Sequence, residues 1–136
     1  MVSVVHATHS YVAVVDDDKS SGRSLGHLLR AAGYHSIVYP SAESFLADTK
    51  QPSFDCLVLD VQMGGMSGME LSRHLGSSGS TIPVVFITTH DDPHERAQAL
   101  RIPGAAYLLK SEPPETVLAA VRWAILSNAS TRTSRS

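Results

Sequence analysis

Phe54-Asp55-Cys56-Leu57-Val58-Leu59-Asp60 is the stretch that decides the fold. Its centre is too continuously apolar for an antiparallel strand with one face in water, so both faces must be covered. A strand covered on both faces belongs in a parallel sheet lying under helices, and this one stops at a carboxylate. Cys56, the single cysteine of the chain, lies inside the run and reads as a small buried hydrophobe. One cysteine excludes an internal disulfide framework and any multi-cysteine metal knuckle.

The same pattern recurs on both sides of this run. Upstream, Tyr11 to Val15 (YVAVV) is a compact β-rich segment that stops at Asp16-Asp17-Asp18. Downstream, Pro83 to Ile87 runs into Thr88-Thr89-His90, and Ala105 to Leu109 leads into Lys110. Tyr34 to Tyr39, closed by Pro40, supplies the remaining strand. Between these strands the apolar period lengthens to that of a helix. Leu25, Leu28 and Leu29 mark a helix over residues 20–32 that Gly33 terminates. Ser41 caps a second helix, with Phe45 and Leu46 on its inner side. A third covers about residues 67–75, and a fourth, capped by an acid, about residues 92–101. The last carries Pro113 and Pro114 in its first turn, with Ser111 as its expected cap. At about 100° per residue its buried arc holds Val117, Leu118, Val121 and Ile125 with Ala120 and Ala124, leaving Trp123 and Leu126 outside. Five strands alternating with five helices predict an α/β fold, a three-layer (βα)5 sandwich.

The length of 136 residues suits one domain over residues 11–126. Residues 1–10 read as a short leader, and residues 127–136 as a flexible Ser-rich tail or the start of a linker. Eleven Lys and Arg against thirteen Asp and Glu give a net charge of -2, without the basic excess that binding to a phosphate backbone requires. No run approaches the roughly 18 apolar residues of a membrane span, and the first residues lack a basic, apolar signal. A cytoplasmic setting is the expectation.

In an open parallel sheet the carboxyl ends of the strands lie along one edge, where ligands bind. That edge should therefore gather Asp16, Asp17, Asp60, Thr88 and Lys110. Three converging carboxylates repel unless a cation neutralises them, and Mg²⁺ suits carboxylate oxygens beside a phosphoryl group. Lys110 would supply charge and Thr88 a hydroxyl donor for phosphoryl oxygens. Asp60 can be a metal ligand only, or also a nucleophile that forms an aspartyl phosphate. Asp18 reads as a cap or an outer group of the site, and Asp91 and Asp92 read as caps. The seven histidines, including His90 and His94 four apart, read as surface residues because no third ligand accompanies them.

Five motifs in this order carry a resemblance: VVDDD at 14–18, LVLD at 57–60, GMSGMEL at 65–71, FITTH at 86–90 and GAAYLLK at 104–110. Across residues 11–126 the chain resembles the receiver domain of bacterial two-component response regulators, of the kind that precedes a helix-turn-helix output domain. The resemblance implies a flavodoxin-like sheet of order 2-1-3-4-5 and phosphorylation of Asp60 by a sensor histidine kinase. It implies Mg²⁺, with Mn²⁺ as a substitute, held by Asp60, by Asp17 directly, by Asp16 mainly through water, and by the main-chain carbonyl of Gln62. Thr88 and Lys110 would contact the phosphoryl group, and the rotamer of Tyr107 would report the state. The face of the fourth helix, fifth strand and fifth helix would be the switched surface, commonly used for homodimers, with Trp123 a candidate interface residue. Such a domain accepts a phosphoryl group rather than acting as an enzyme, and this segment would not bind nucleic acid itself.

The chain departs from the family twice. Gly64 stands where a proline is usual, so the Gly64-Gly65 loop is expected to be mobile. Ser111 follows Lys110 where the family has a cis proline. A non-proline cis bond costs about 2.5–4 kcal/mol, which predicts either a trans bond with a rearranged loop or a strained cis bond. These departures motivate a second reading, a receiver-like interaction module that works without phosphorylation. A third, a small Mg²⁺-dependent phosphohydrolase with an Asp nucleophile, is opposed by loops too short to form a substrate pocket.

Overall fold

A computed structural model describes the backbone of residues 10–135 and the side chains of residues 10–129. The expected leader, apart from Ser10, lies outside the described residues. Five strands, β1 (Tyr11–Val15), β2 (His35–Tyr39), β3 (Cys56–Asp60), β4 (Val84–Thr88) and β5 (Ala106–Leu109), form one parallel sheet of order β2-β1-β3-β4-β5. Five helices alternate with them: α1 (Lys19–Ala31), α2 (Ala42–Ala47), α3 (Gly68–Ser77), α4 (Pro93–Leu100) and α5 (Pro114–Arg135).

Side chains alternate across a strand, and here each face of the sheet meets its own helices. Val12 and Val14 of β1, Cys56 and Val58 of β3, and Val85 and Ile87 of β4 pack with Leu29 of α1 and with Val117, Val121 and Ala124 of α5. Their neighbours Ala13, Val15, Leu57, Leu59, Val84 and Phe86 pack against α2, α3 and α4 through Phe45, Met69, Leu71 and Ala99. That is why the central strands read as unbroken apolar runs. Among the described residues, no helix is long and apolar enough to cross a membrane.

Local signals set the boundaries. Asp18 caps α1, accepting the Ser20 and Ser21 amides. Gly33 ends it at φ 100°, with its N–H on the Arg30 carbonyl and that of Tyr34 on Leu29, the paired bonds of a Schellman turn. Ser41 and Ser67 form capping boxes at α2 and α3, and Asp92 caps α4.

Four expectations need correction. Leu46 is exposed, so of the pair expected on the inner side of α2 only Phe45 lies there. β3 begins at Cys56, not Phe54: Phe54 packs beside Tyr39 and Phe45, and the Asp55 carboxylate accepts the Tyr11 amide. α5 starts at Pro114, so Ser111 is not its cap. It also runs on to Arg135, through the segment expected to lack fixed structure. No Gly or Pro interrupts residues 115–135, and extending a formed helix costs little even through polar residues.

Candidate functional site

The ends of strands deliver four of the candidate residues, Asp16, Asp60, Thr88 and Lys110. Asp16 is the first residue past β1, and its amide bonds to the Tyr39 carbonyl at 3.0 Å. Asp60 is the last residue of β3, and Thr88 the last of β4. Lys110 follows β5, tied by its N–H to the Thr88 carbonyl at 2.7 Å. Because β3 lies between β1 and β4, Asp60 stands at the centre of this edge. One carboxylate oxygen from each of Asp16, Asp17 and Asp60 lies within 4.8 Å of the others.

The electrostatics are uneven. Asp16 and Asp60 are buried whereas Asp17 is exposed. Lys110 Nζ reaches across the end of β4, 3.1 Å from Asp60 Oδ2, 3.0 Å from Asp16 Oδ2 and 3.2 Å from Asp16 Oδ1. One ammonium thus faces two buried carboxylates. Burial pushes the Asp60 carboxyl up to about 6, Asp16 adds to the rise, and Lys110 opposes it. Burial also depresses Lys110, but the two carboxylates outweigh that and raise it. Asp16 Oδ2 is buried with no aligned hydrogen-bond donor. Three clustered carboxylates, two of them buried, against a single ammonium suit a small hard cation, so the residues present fit Mg²⁺.

The loop from β3 to α3, residues 61–67, lies across this edge. Its Gln62 N–H donates to Asp60 Oδ1 at 3.1 Å, its Gly64 N–H to Asp17 Oδ2 at 3.0 Å, and its Met66 N–H to Glu43 Oε2 at 2.9 Å. The mobility expected of Gly64-Gly65 is therefore opposed by three backbone ties. Proline at 64 would have no N–H to give Asp17. No peptide bond among the described residues is cis. The Lys110–Ser111 bond is trans, in a turn closed by Glu112 N–H on the Leu109 carbonyl and by the Glu112 carboxylate on the Leu109 N–H.

The remaining candidates sit further out. The buried Thr88 hydroxyl is engaged with the main chain of His90, donating to its carbonyl at 3.2 Å and accepting its N–H at 3.3 Å. Tyr107 is turned inward under the first turn of α4. Its hydroxyl accepts the Asp92 N–H and donates to Glu95, both at 3.4 Å, while Arg96 lies 4.8 Å from its ring centre. Arg96 is itself paired with Asp91 at 2.9 Å, so of the two acids expected to cap α4 only Asp92 does so. Trp123 is 65% exposed on α5, beside a depression lined by Gly104, Ala105, Ala106, Ala119 and Ala120. Glu43 was not legible as a site neighbour, since an acid in the first turn of a helix looks the same with or without a distant amide to hold.

Comparison with known proteins gives a consistent result. Residues 12–122 match the family model of the response regulator receiver domain. The chain is 34% identical over 116 residues to response regulator protein TmoT of Ectopseudomonas mendocina, covering 85% of this chain and 53% of that protein. Among solved structures, response regulator StyR superposes with a TM-score of 0.82 at 36% identity, covering 93% of this chain and 64% of that one. FixJ-N superposes with a TM-score of 0.77 at 31% identity, covering 85% of this chain and 93% of that one. The chain spans about half the length of the curated relatives it matches.

Proposed function

This chain belongs to the response regulator receiver domain family, and from that premise we propose that it is a phosphoryl-accepting switch whose acceptor is Asp60 and whose donor is a sensor histidine kinase. The observation that carries this reading is Lys110 Nζ bridging Asp60 and Asp16 at the strand-end cluster that Asp17 completes.

The chemistry follows from the geometry. An Asp60 carboxylate oxygen attacks the phosphorus of a phosphohistidine, the P–N bond breaks, and the electron pair leaves with the imidazole nitrogen. Asp16, Asp17, Asp60 and the Gln62 carbonyl would hold the Mg²⁺. When bound, that ion supplies positive charge against the carboxylates and the transferring oxygens. Lys110 can follow a phosphoryl oxygen without leaving the site, because Asp16 anchors its other side. The Thr88 hydroxyl exchanges its long bonds to His90 for a phosphoryl oxygen. That exchange loosens residues 88–92, which carry the cap of α4 and the amide that holds Tyr107. The altered face is α4–β5–α5, where Leu100, Trp123 and Leu126 already expose apolar surface. A homodimer on that face is the expected output, and the segment itself makes no contact with nucleic acid.

Incubation with Mg²⁺ and acetyl phosphate should add about 80 Da, one phosphoryl group, in an adduct that maps to the peptide containing Asp60. A chelator should prevent it. Absence of an adduct from both acetyl phosphate and a cognate kinase would overturn the proposal in favour of a binding module, whereas rapid multiple turnover would indicate a phosphohydrolase. A second expectation needs no donor. Saturating Mg²⁺ should raise the melting temperature by several degrees, since a ligand that binds only the folded state stabilises it. Asp17→Asn should remove most of that shift.

A further inference from the structure

We propose that Glu43 is a positioning residue of the phosphoryl-accepting site, anchoring the β3–α3 loop through the Met66 amide so that the loop keeps its place when Asp17 and Asp60 turn to a cation. The inference rests on the reading of the site given above and adds a residue to it.

Three alternate amides of one short loop, those of Gln62, Gly64 and Met66, donate to carboxylates at the end of β3, in the β1–α1 loop and on α2. Two of the acceptors, Asp60 and Asp17, belong to the cation cluster; Glu43 does not. The Asp60 and Asp17 carboxylates, which hold the Gln62 and Gly64 amides, are also the ones that would turn to a bound cation, so these two ties would weaken when the loop has to present the Gln62 carbonyl. Glu43 supplies the tie that does not compete. It stands in the first turn of α2, which starts at the same edge of the sheet because it follows the end of β2.

Gly65 makes the contact possible. A Cβ at this position would lie 2.6 Å from Glu43 Oε2 and 3.1 Å from Oε1. A helix acid serving only the α2 dipole would need no such gap. The Met66 amide also holds the Glu43 carboxyl below its ordinary range, so the acceptor stays ionised. Because the atom a Cβ would meet is the end of a flexible side chain, Gly65→Ala should displace Glu43 without unfolding the protein.

The test uses Glu43→Ala, Glu43→Gln, Gly65→Ala and the Glu43→Ala/Gly65→Ala double variant. Amide exchange at Gly64 and Met66 is measured by NMR in the metal-free protein, and Mg²⁺ affinity by calorimetry. The Mg²⁺ concentration for half-maximal phosphorylation is then compared with the maximal rate. Glu43→Ala and Gly65→Ala should each speed exchange at Met66 and weaken Mg²⁺ binding about threefold to fivefold, within the net worth of one ordinary hydrogen bond. The half-maximal Mg²⁺ concentration should rise with little change in maximal rate. Glu43→Gln should retain most of the affinity, because its amide oxygen still accepts, and the double variant should be no worse than either single one. Wild-type Mg²⁺ affinity in both alanine variants, additive losses, or a Glu43→Gln as weak as Glu43→Ala would each overturn the proposal. If the wild type takes no phosphoryl group, the acceptor reading fails, while exchange and calorimetry still decide the role of Glu43.

Discussion

Asp60→Asn is expected to accept no phosphoryl group from acetyl phosphate or a kinase, and yet to melt higher than the wild type in chelator. The first effect is chemical: a neutral amide oxygen is a poor nucleophile and no other carboxylate occupies the centre of the edge. The second follows from the charge balance. Asp16 and Asp60 are both buried, share the ammonium of Lys110, and leave Asp16 Oδ2 without an aligned donor. An asparagine removes the surplus charge, keeps an oxygen for the Gln62 amide, and offers an N–H to Asp16; its bond from Lys110 is lost, but Lys110 keeps its pair with Asp16. A gain of about 1 kcal/mol, a few degrees in melting temperature, is reasonable for such a repair.

Its pH dependence has a definite sign. The Asp60 carboxyl is raised in the folded state from 3.8 to about 6, so between those values the folded chain holds more protons than the unfolded one. Wild-type stability therefore falls as pH rises through that window, and the advantage of Asp60→Asn should grow from about pH 4 to pH 6 and then level off. Asp17→Asn is the control: Asp17 is exposed, so it should impair phosphorylation without a matching gain in chelator. A lower melting temperature for Asp60→Asn at pH 7 would mean that Lys110 satisfies both carboxylates.

The contrast between Asp60 and Glu43 shows what the sequence could carry. β1, β3 and β4 were legible because both faces of each are buried, which leaves little room for polar residues until the strand ends. A polar residue at that point is conspicuous, and Asp16, Asp60 and Thr88 stood out for this reason. The strand order was not in the periodicity; it came with the family resemblance. The start of β3 was misplaced because apolar Phe54 reads as strand, although it serves the aromatic cluster with Tyr39 and Phe45. The direction of the Thr88 hydroxyl, the reach of Lys110 past a trans bond and the hold of Glu43 on Met66 depend on contacts between distant segments. No local pattern encodes them.

Gly68→Ala should be the most damaging single-methyl change in the domain, lowering stability by about 2–3 kcal/mol and melting by roughly 5–10 °C. Gly68 opens α3 without a positive φ, so its backbone conformation does not demand glycine. What demands it is proximity. A Cβ would collide with the Asp60 carbonyl oxygen and lie 2.9 Å from the Asp60 carbonyl carbon and 3.3 Å from Leu59 Cβ. Two of these atoms are backbone and cannot rotate away, so either α3 lifts from the sheet or the end of β3 moves. Lifting α3 disturbs Met69 and Leu71 in the core; moving β3 displaces Asp60 itself. The ordinary gain of replacing a helical glycine by alanine, up to about 1 kcal/mol, is too small to compensate. Gly76 supplies the comparison within the same helix, because a Cβ there meets nothing within 4 Å. Gly76→Ala should be neutral or stabilising and leave phosphorylation unchanged. Thermal melts of the two variants, read beside their phosphorylation rates at a temperature where both are folded, separate the alternatives. If Gly68→Ala melts with the wild type, α3 does not press on β3 as described. If it is destabilised but phosphorylated at the wild-type rate, α3 has moved and Asp60 has stayed.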